Sequence, residues 1–220
     1  MVPGSGTASC CMMSHPERTK PIAGAILAGG MARRMGGADK AALHVGGCRI
    51  IDHQLAVLQQ ATHPVFIVSS RPDALTGLAG NPRVLADVLP NAGPLGGIYT
   101  AIVRSPHART LVVACDMPFL TLPLVELLTA DSDADVVLPR SEAGVEPLCA
   151  TWSRAAADVI RRRIERGQLQ AGGVVEDLKV EEIGPARLAE CDPTGRLFVN
   201  VNTPHDYERA RELMRVKPGE

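Results

Sequence analysis

Four short stretches hold most of the residues that could do chemistry in this chain of 220 amino acids. The first is Leu27-Ala28-Gly29-Gly30-Met31-Ala32-Arg33-Arg34-Met35-Gly36-Gly37-Ala38-Asp39-Lys40. Two glycines directly after an apolar run let the backbone approach a ligand closely and adopt positive φ. The N–H groups of such a loop can cradle phosphate oxygens, and Arg33, Arg34 and Lys40 add cations whose natural target is a triphosphate. The pattern is neither a P-loop nor Gly-x-Gly-x-x-Gly. The plainer alternative is a strand-to-helix turn with basic residues on its surface. The second stretch is Cys115-Asp116-Met117-Pro118 after the run Thr110 to Ala114. A carboxylate at the exit of a central strand needs a partner, and Mg²⁺ carrying phosphate oxygens is one, since that ion is usually held by one or two carboxylates plus substrate phosphates. The alternative is an Asp capping the turn into the next helix.

The third stretch joins Asp87 to Asn91-Ala92-Gly93-Pro94-Leu95-Gly96-Gly97, a glycine-rich turn able to press its backbone onto a flat base. The fourth is Asn200-Val201-Asn202-Thr203-Pro204. In an extended segment the two amides point to one side and could complete a metal or phosphate site. Thr203 before Pro204 also makes a good helix N-cap.

These stretches need a frame, and the rest of the chain supplies one. Apolar runs at 22–28, 64–69, 83–86, 110–114, 135–138 and 147–151 read as strands. Helical spacing or start signals mark 50–60, 95–103, 121–129, 154–166 and 203–214, with a shorter helix at 73–78. Alternation on this scale predicts a single α/β domain, a Rossmann-like mostly parallel sheet with helices on both faces. In such sheets ligands bind at the carboxyl ends of the strands, where loops 29–40, 87–97 and 115–119 fall. The domain is expected to span 21–214, after a leader at 1–20 that is disordered or a mis-assigned start, and before a tail at 215–220. Segment 166–176 is glycine-rich and reads either as a mobile loop or as a poor helix start.

Composition narrows the function classes. Net charge is −1, with 23 basic and 24 acidic residues, so a nucleic-acid partner is not expected. The run Arg161-Arg162-Arg163 reads as a solvated helix face. Aromatics at 3% leave little to stack on bases and require a core of aliphatic residues. The six cysteines, at 10, 11, 48, 115, 149 and 191, have no zinc-site spacing. They read as reduced thiols of a cytoplasmic protein, Cys115 and Cys149 as buried small hydrophobes. The leader lacks the apolar stretch of a signal peptide, and no run of about 18 apolar residues would span a membrane.

Taken together, LAGGMARRMGGADKA, GPLGG, CDMPF and FVNVNTP resemble, in order, the motifs of the molybdenum cofactor guanylyltransferases, the MobA family of nucleotidyltransferases. The resemblance covers about residues 21–214 and implies a Rossmann-like fold. It implies Mg²⁺-dependent transfer of GMP from GTP onto molybdopterin, giving the guanine dinucleotide form of the cofactor and pyrophosphate. It further implies that Leu27, Ala28 and Gly29 contact the nucleotide through the loop backbone, with Gly30 and with Gly96 of GPLGG in the same site. Lys40 and Arg34 act on the phosphates, and Asp87 meets the nucleoside. Asp116 holds Mg²⁺ and phosphate, and Asn202, with Asn200 beside it, falls where related enzymes place a second metal-side ligand. Some family members carry an Asn at the end of the second strand; here Ser69 is the nearest occupant. The partners implied are GTP and molybdopterin, with transient contact with other enzymes of the cofactor's synthesis.

Three rival readings remain at this stage. One keeps the chemistry and changes substrates, to CTP or to another phosphorylated acceptor such as a sugar phosphate. A second is a nucleotide-binding regulatory protein without turnover, which the presence of both Lys40 and Asp116 argues against. A dehydrogenase-type Rossmann protein lacks its glycine fingerprint.

Overall fold

The computed structural model describes residues 20–29 and 43–215. The chain opens on β1 (Ile22–Leu27), buried along its whole length. The hairpin of β2 (His44–Val45) and β3 (Cys48–Arg49) leads into α1 (Ile50–Leu58), then β4 (Val65–Ser69) and β5 (Arg83–Ala86). Next come α2 (Gly93–Arg104), β6 (Arg109–Ala114), α3 (Leu122–Leu128) and β7 (Val136–Ser141). The turn β8 (Gly144–Val145), β9 (Cys149–Ser153), α4 (Ala157–Glu165) and α5 (Ala171–Val174) follow. The chain closes with β10 (Val180–Ile183), α6 (Pro185–Cys191) and α7 (Pro204–Arg215).

Among the described residues the main sheet has the order β10-β7-β9-β6-β1-β4-β5, with β8 paired to β7. β1 pairs parallel with both β4 and β6, β4 with β5, and β10 with β7. β9 runs antiparallel between β6 and β7. Alternation along the central strands feeds two cores. Ile22 and Ile26 of β1 and Leu111 and Val113 of β6 pack with α1, α3 and α6 on one face. Ala23, Ala25, Leu27 and Val112 pack with α2 and α4 on the other. A sheet clothed on both faces explains why β1 and β6 read as unbroken apolar runs, and the expected mostly parallel α/β sheet with helices on both faces is what forms.

Several local expectations are refined. The helix expected at 73–78 is a single 3-10 turn, Pro72–Ala74, followed by Gly77 at φ +61°. The 154–166 helix starts as a 3-10 turn capped by Ser153 and stops before Gly167 at φ +72°. Segment 166–176 contains the short α5 rather than loop alone. β10, α6 and the β2–β3 hairpin were not foreseen. The expected leader, apart from Lys20, and the expected tail, apart from Arg215, lie outside the described residues. Cys115 and Cys149 are buried as expected, and Cys48, Cys115, Cys149 and Cys191 are free thiols. Among the described residues no helix is long and apolar enough to cross a membrane.

Candidate active site

The carboxyl ends of β1, β4, β5 and β6 open into one cavity of about 850 Å³, within the range of small-molecule sites. β1 contributes Leu27 and Gly29 to its lining, and β4 contributes Val68 and Ser70. Asp87, Asn91, Gly93 and Gly97 come from the β5–α2 connection, and Asp116 from the exit of β6. Glu146 and Pro147 enter from the β8–β9 turn, Gln170 from before α5, and Asn200 and Asn202 from the segment leading into α7.

Each side chain is set by its element. Asp116 stands one residue past buried Cys115, whose N–H bonds the carbonyl of Leu27 at 3.1 Å. The carbonyl of Asp116 accepts the N–H of Val201 at 2.9 Å. Val201 is fully buried, which leaves the amides on either side of it directed to the cavity. Thr203 and Asp206 fix where that segment turns into α7. Thr203 Oγ1 accepts the N–H of Asp206 at 3.1 Å, and Asp206 Oδ2 accepts the N–H groups of Asn202 and Thr203 at 3.1 and 2.8 Å. This reciprocal cap bears out the N-cap expected at Thr203. On the opposite wall, buried Thr100 of α2 accepts the N–H of Val88 at 2.9 Å and donates to the Gly96 carbonyl at 2.9 Å, tying the Asp87 segment to the helix.

Two carboxyls in this cavity are held above their usual range. Burial raises Asp87, and its Oδ1 is buried with no hydrogen-bond partner among the described residues. Burial is the largest influence on Glu146 too; the Ser141 hydroxyl lowers it in part, and the nearby Asp116 raises it further. Ser141 Oγ lies 2.8 Å from Glu146 Oε1. A buried carboxylate oxygen without a donor costs free energy, so its persistence at a cavity wall points to a ligand that supplies the missing hydrogen bond. The Asn200 side-chain oxygen is likewise buried and unpartnered. Asp116, Glu146, Asn200 and Asn202 together present oxygen donors of the hard type that suits Mg²⁺.

Comparison with known proteins decides what this cavity belongs to. A model of the MobA-like NTP transferase domain matches residues 24–179. The chain belongs to the MobA-like NTP transferase family. It is 32% identical over 196 residues to a molybdenum cofactor guanylyltransferase of Desulfosudis oleivorans, covering 88% of this chain and 96% of the relative. A probable molybdenum cofactor guanylyltransferase of Pelotomaculum thermopropionicum is 33% identical, with 86% and 92% covered. Among solved structures, the molybdopterin-guanine dinucleotide biosynthesis protein A of Archaeoglobus fulgidus matches with a TM-score of 0.77 at 26% identity, covering 88% of this chain and 98% of that one.

In this MobA-like protein the structure brings together Leu27, Gly29, Asp87, Asp116 and Asn202, with Asn200 beside them, the two asparagines beyond the matched residues. Gly30, Arg34 and Lys40 lie outside the described residues. Three expected contacts fall behind the cavity wall. Ser69 is 2% exposed; its hydroxyl donates to the Ala28 carbonyl at 3.0 Å and accepts the Arg71 N–H at 3.1 Å, so Ser70 is the residue of that strand end that faces the cavity. Ala28, half-buried against the core, has its N–H bonded to the Val68 carbonyl at 2.8 Å and its carbonyl bonded to the Ser69 hydroxyl. Gly96 faces the protein, where a Cβ would stand 2.8 Å from that of Ala92 and 3.0 Å from the Leu89 carbonyl, and Gly97 lines the cavity in its place. At Ser69 and Gly96, strand and helix periodicity turns the neighbouring residue toward the cavity. Glu146 was missed: it sits in a tight turn of an antiparallel insertion, and no local pattern marks that turn as part of the site.

Proposed function

We propose that this MobA-like protein transfers GMP from GTP onto molybdopterin bearing molybdenum, forming the guanine dinucleotide cofactor and releasing pyrophosphate. The observation that carries the reading is the convergence of Asp87, Asp116 and Asn202 on one cavity at the strand ends. Those positions come from three distant parts of the chain, and relatives of about this length bear the name molybdenum cofactor guanylyltransferase. The reaction joins two phosphate-bearing anions: an oxygen of the acceptor's terminal phosphate attacks the α-phosphorus of GTP in line, a new phosphoanhydride forms, and the α–β bond breaks. Little side-chain acid–base chemistry is needed; the site must hold geometry and offset charge.

In this reading the backbone of Leu27 and Gly29 forms the floor under the nucleotide, and Asp87 accepts hydrogen bonds from the nucleoside through the oxygen that otherwise lacks a donor. Asp116 and Asn202 hold Mg²⁺, which supplies Lewis-acid polarisation of phosphate oxygens. Lys40 and Arg34 offset the charge that develops on the departing pyrophosphate, a role resting on the sequence resemblance. Free thiols at Cys48, Cys115, Cys149 and Cys191 suit a cytoplasmic enzyme. The test is incubation of the full chain with GTP, Mg²⁺ and molybdopterin, with detection of both pyrophosphate and the dinucleotide. Product with GTP but not CTP supports the guanylyl assignment; faster turnover with CTP replaces it with a cytidylyl one, and product without added divalent metal removes Mg²⁺.

A further inference from the structure

α1 carries one polar residue on its apolar face. Ile50, Ile51, Leu55 and Leu58 of this helix are buried in the cores, and Gln54, at 0% exposure, is buried among them. Its Nε2 donates to the carbonyl of Ala114 at 2.8 Å and to the carbonyl of Met117 at 2.9 Å. Those two carbonyls bracket Cys115 and Asp116. Since both partners are acceptors, the amide nitrogen must be the atom that faces them. The Gln54 Oε1 is then left buried without a partner among the described residues, an arrangement an apolar side chain would avoid.

We infer that Gln54 is a positioning residue for Asp116: its amide spans the strand exit from beneath and fixes the direction in which the Asp116 carboxylate enters the cavity. The inference rests on the proposed metal-holding role of Asp116 and adds a residue more than 60 positions away in sequence. Backbone ties also hold the exit, from Cys115 N–H to the Leu27 carbonyl and from Val201 N–H to the Asp116 carbonyl. Removing the Gln54 amide loosens the exit while leaving those backbone ties in place. A helix leucine or methionine there would fill the same volume but leave both carbonyls without a donor.

The experiment is a double-mutant cycle on the full chain, read by pyrophosphate release from GTP and acceptor across an Mg²⁺ titration. It is read also by the Mg²⁺-dependent thermal shift of the GTP-bound protein, which Gln54→Met should reduce. Gln54→Met is expected to lower kcat at least tenfold and to raise the Mg²⁺ concentration for half-maximal rate severalfold, with KM for GTP changed less than twofold. In an Asp116→Asn background the same substitution should change the residual rate by less than twofold. Equal losses in both backgrounds would mean general structural damage and overturn the inference, as would a folded Gln54→Met enzyme with unchanged rate and Mg²⁺ dependence. If Gln54→Met does not fold, Gln54→Asn keeps an amide that reaches at most one carbonyl and is read in the same cycle with the same criteria. Full activity in Asp116→Asn alone is a separate result: it removes the metal-holding role of Asp116, and the Gln54 inference falls with it.

Discussion

At the scale of single residues, the cavity holds groups that the fold would be better off without. Asp87 and Glu146 are both raised from their ordinary carboxyl values, chiefly by burial. A carboxyl whose folded value lies above its unfolded one binds its proton more tightly in the folded state. Its stabilising contribution is full below the unfolded value and is lost as pH rises through the folded one. Asp87→Asn and Glu146→Gln should therefore raise the melting temperature at pH 7 by roughly 2–4 °C, equivalent to about 1 kcal/mol each. The gain should shrink as pH falls through the raised folded values, and calorimetry from pH 7 downward checks both the sign and the trend. Asp87→Asn should at the same time weaken GTP binding. A variant with lower stability at pH 7 would contradict the account of Asp87 as an unpaired buried carboxyl. For the charge-handling residues, Lys40→Ala and Asp116→Ala are each expected to lower turnover at least about a hundredfold, a loss of roughly 2.7 kcal/mol. Near-normal initial rates in either would remove that residue from the chemistry.

Asp116 and the asparagine pair were legible in the sequence because their signals are local: a charge directly after an apolar strand, and two amides across a valine. Glu146 and Gln54 were not. Nothing beside Glu146 says that the β8–β9 turn folds over the strand exit, and Gln54 gains its partners 60 and 63 residues away. Ser69 and Gly96 show the other limit, since a motif fixes a neighbourhood while a one-residue shift in facing decides which side chain meets the ligand.

Among the elements, those that carry the site were the readable ones. β1 and β6 are central strands with both faces covered, and an unbroken apolar run reports that directly. β10 is an edge strand whose Glu181 and Glu182 stay exposed, so no alternation marks it. The β2–β3 pair is two residues on each side, too short for any period. The α7 cap lends itself to a test at this scale. Thr203→Ala removes the hydroxyl that accepts the Asp206 N–H and should cost about 1 kcal/mol of stability, read from denaturant midpoints. Because Asn202 is the residue before the cap, the Mg²⁺ requirement should also rise; a variant destabilised with unchanged Mg²⁺ dependence would separate α7 capping from the position of Asn202.

On the scale of the whole molecule, the sheet draws its site from both halves of the chain, so ligand occupancy should be felt throughout the cooperative unit. GTP at a hundred times its dissociation constant is expected to add about 2.7 kcal/mol to the unfolding free energy. The metal-dependent part of that gain should be lost in Asp116→Ala, as read by thermal shift with and without Mg²⁺.

The tie from Val201 N–H to the Asp116 carbonyl also orders events during synthesis. A nascent chain that has emerged only through α4 already owns the strand ends bearing Gly29, Asp87 and Asp116 and the turn bearing Glu146, yet lacks the tie that Val201 makes. That brace arrives only with the segment that leads into α7. On the proposed reading, the nucleotide side of the pocket is complete before the asparagine side exists.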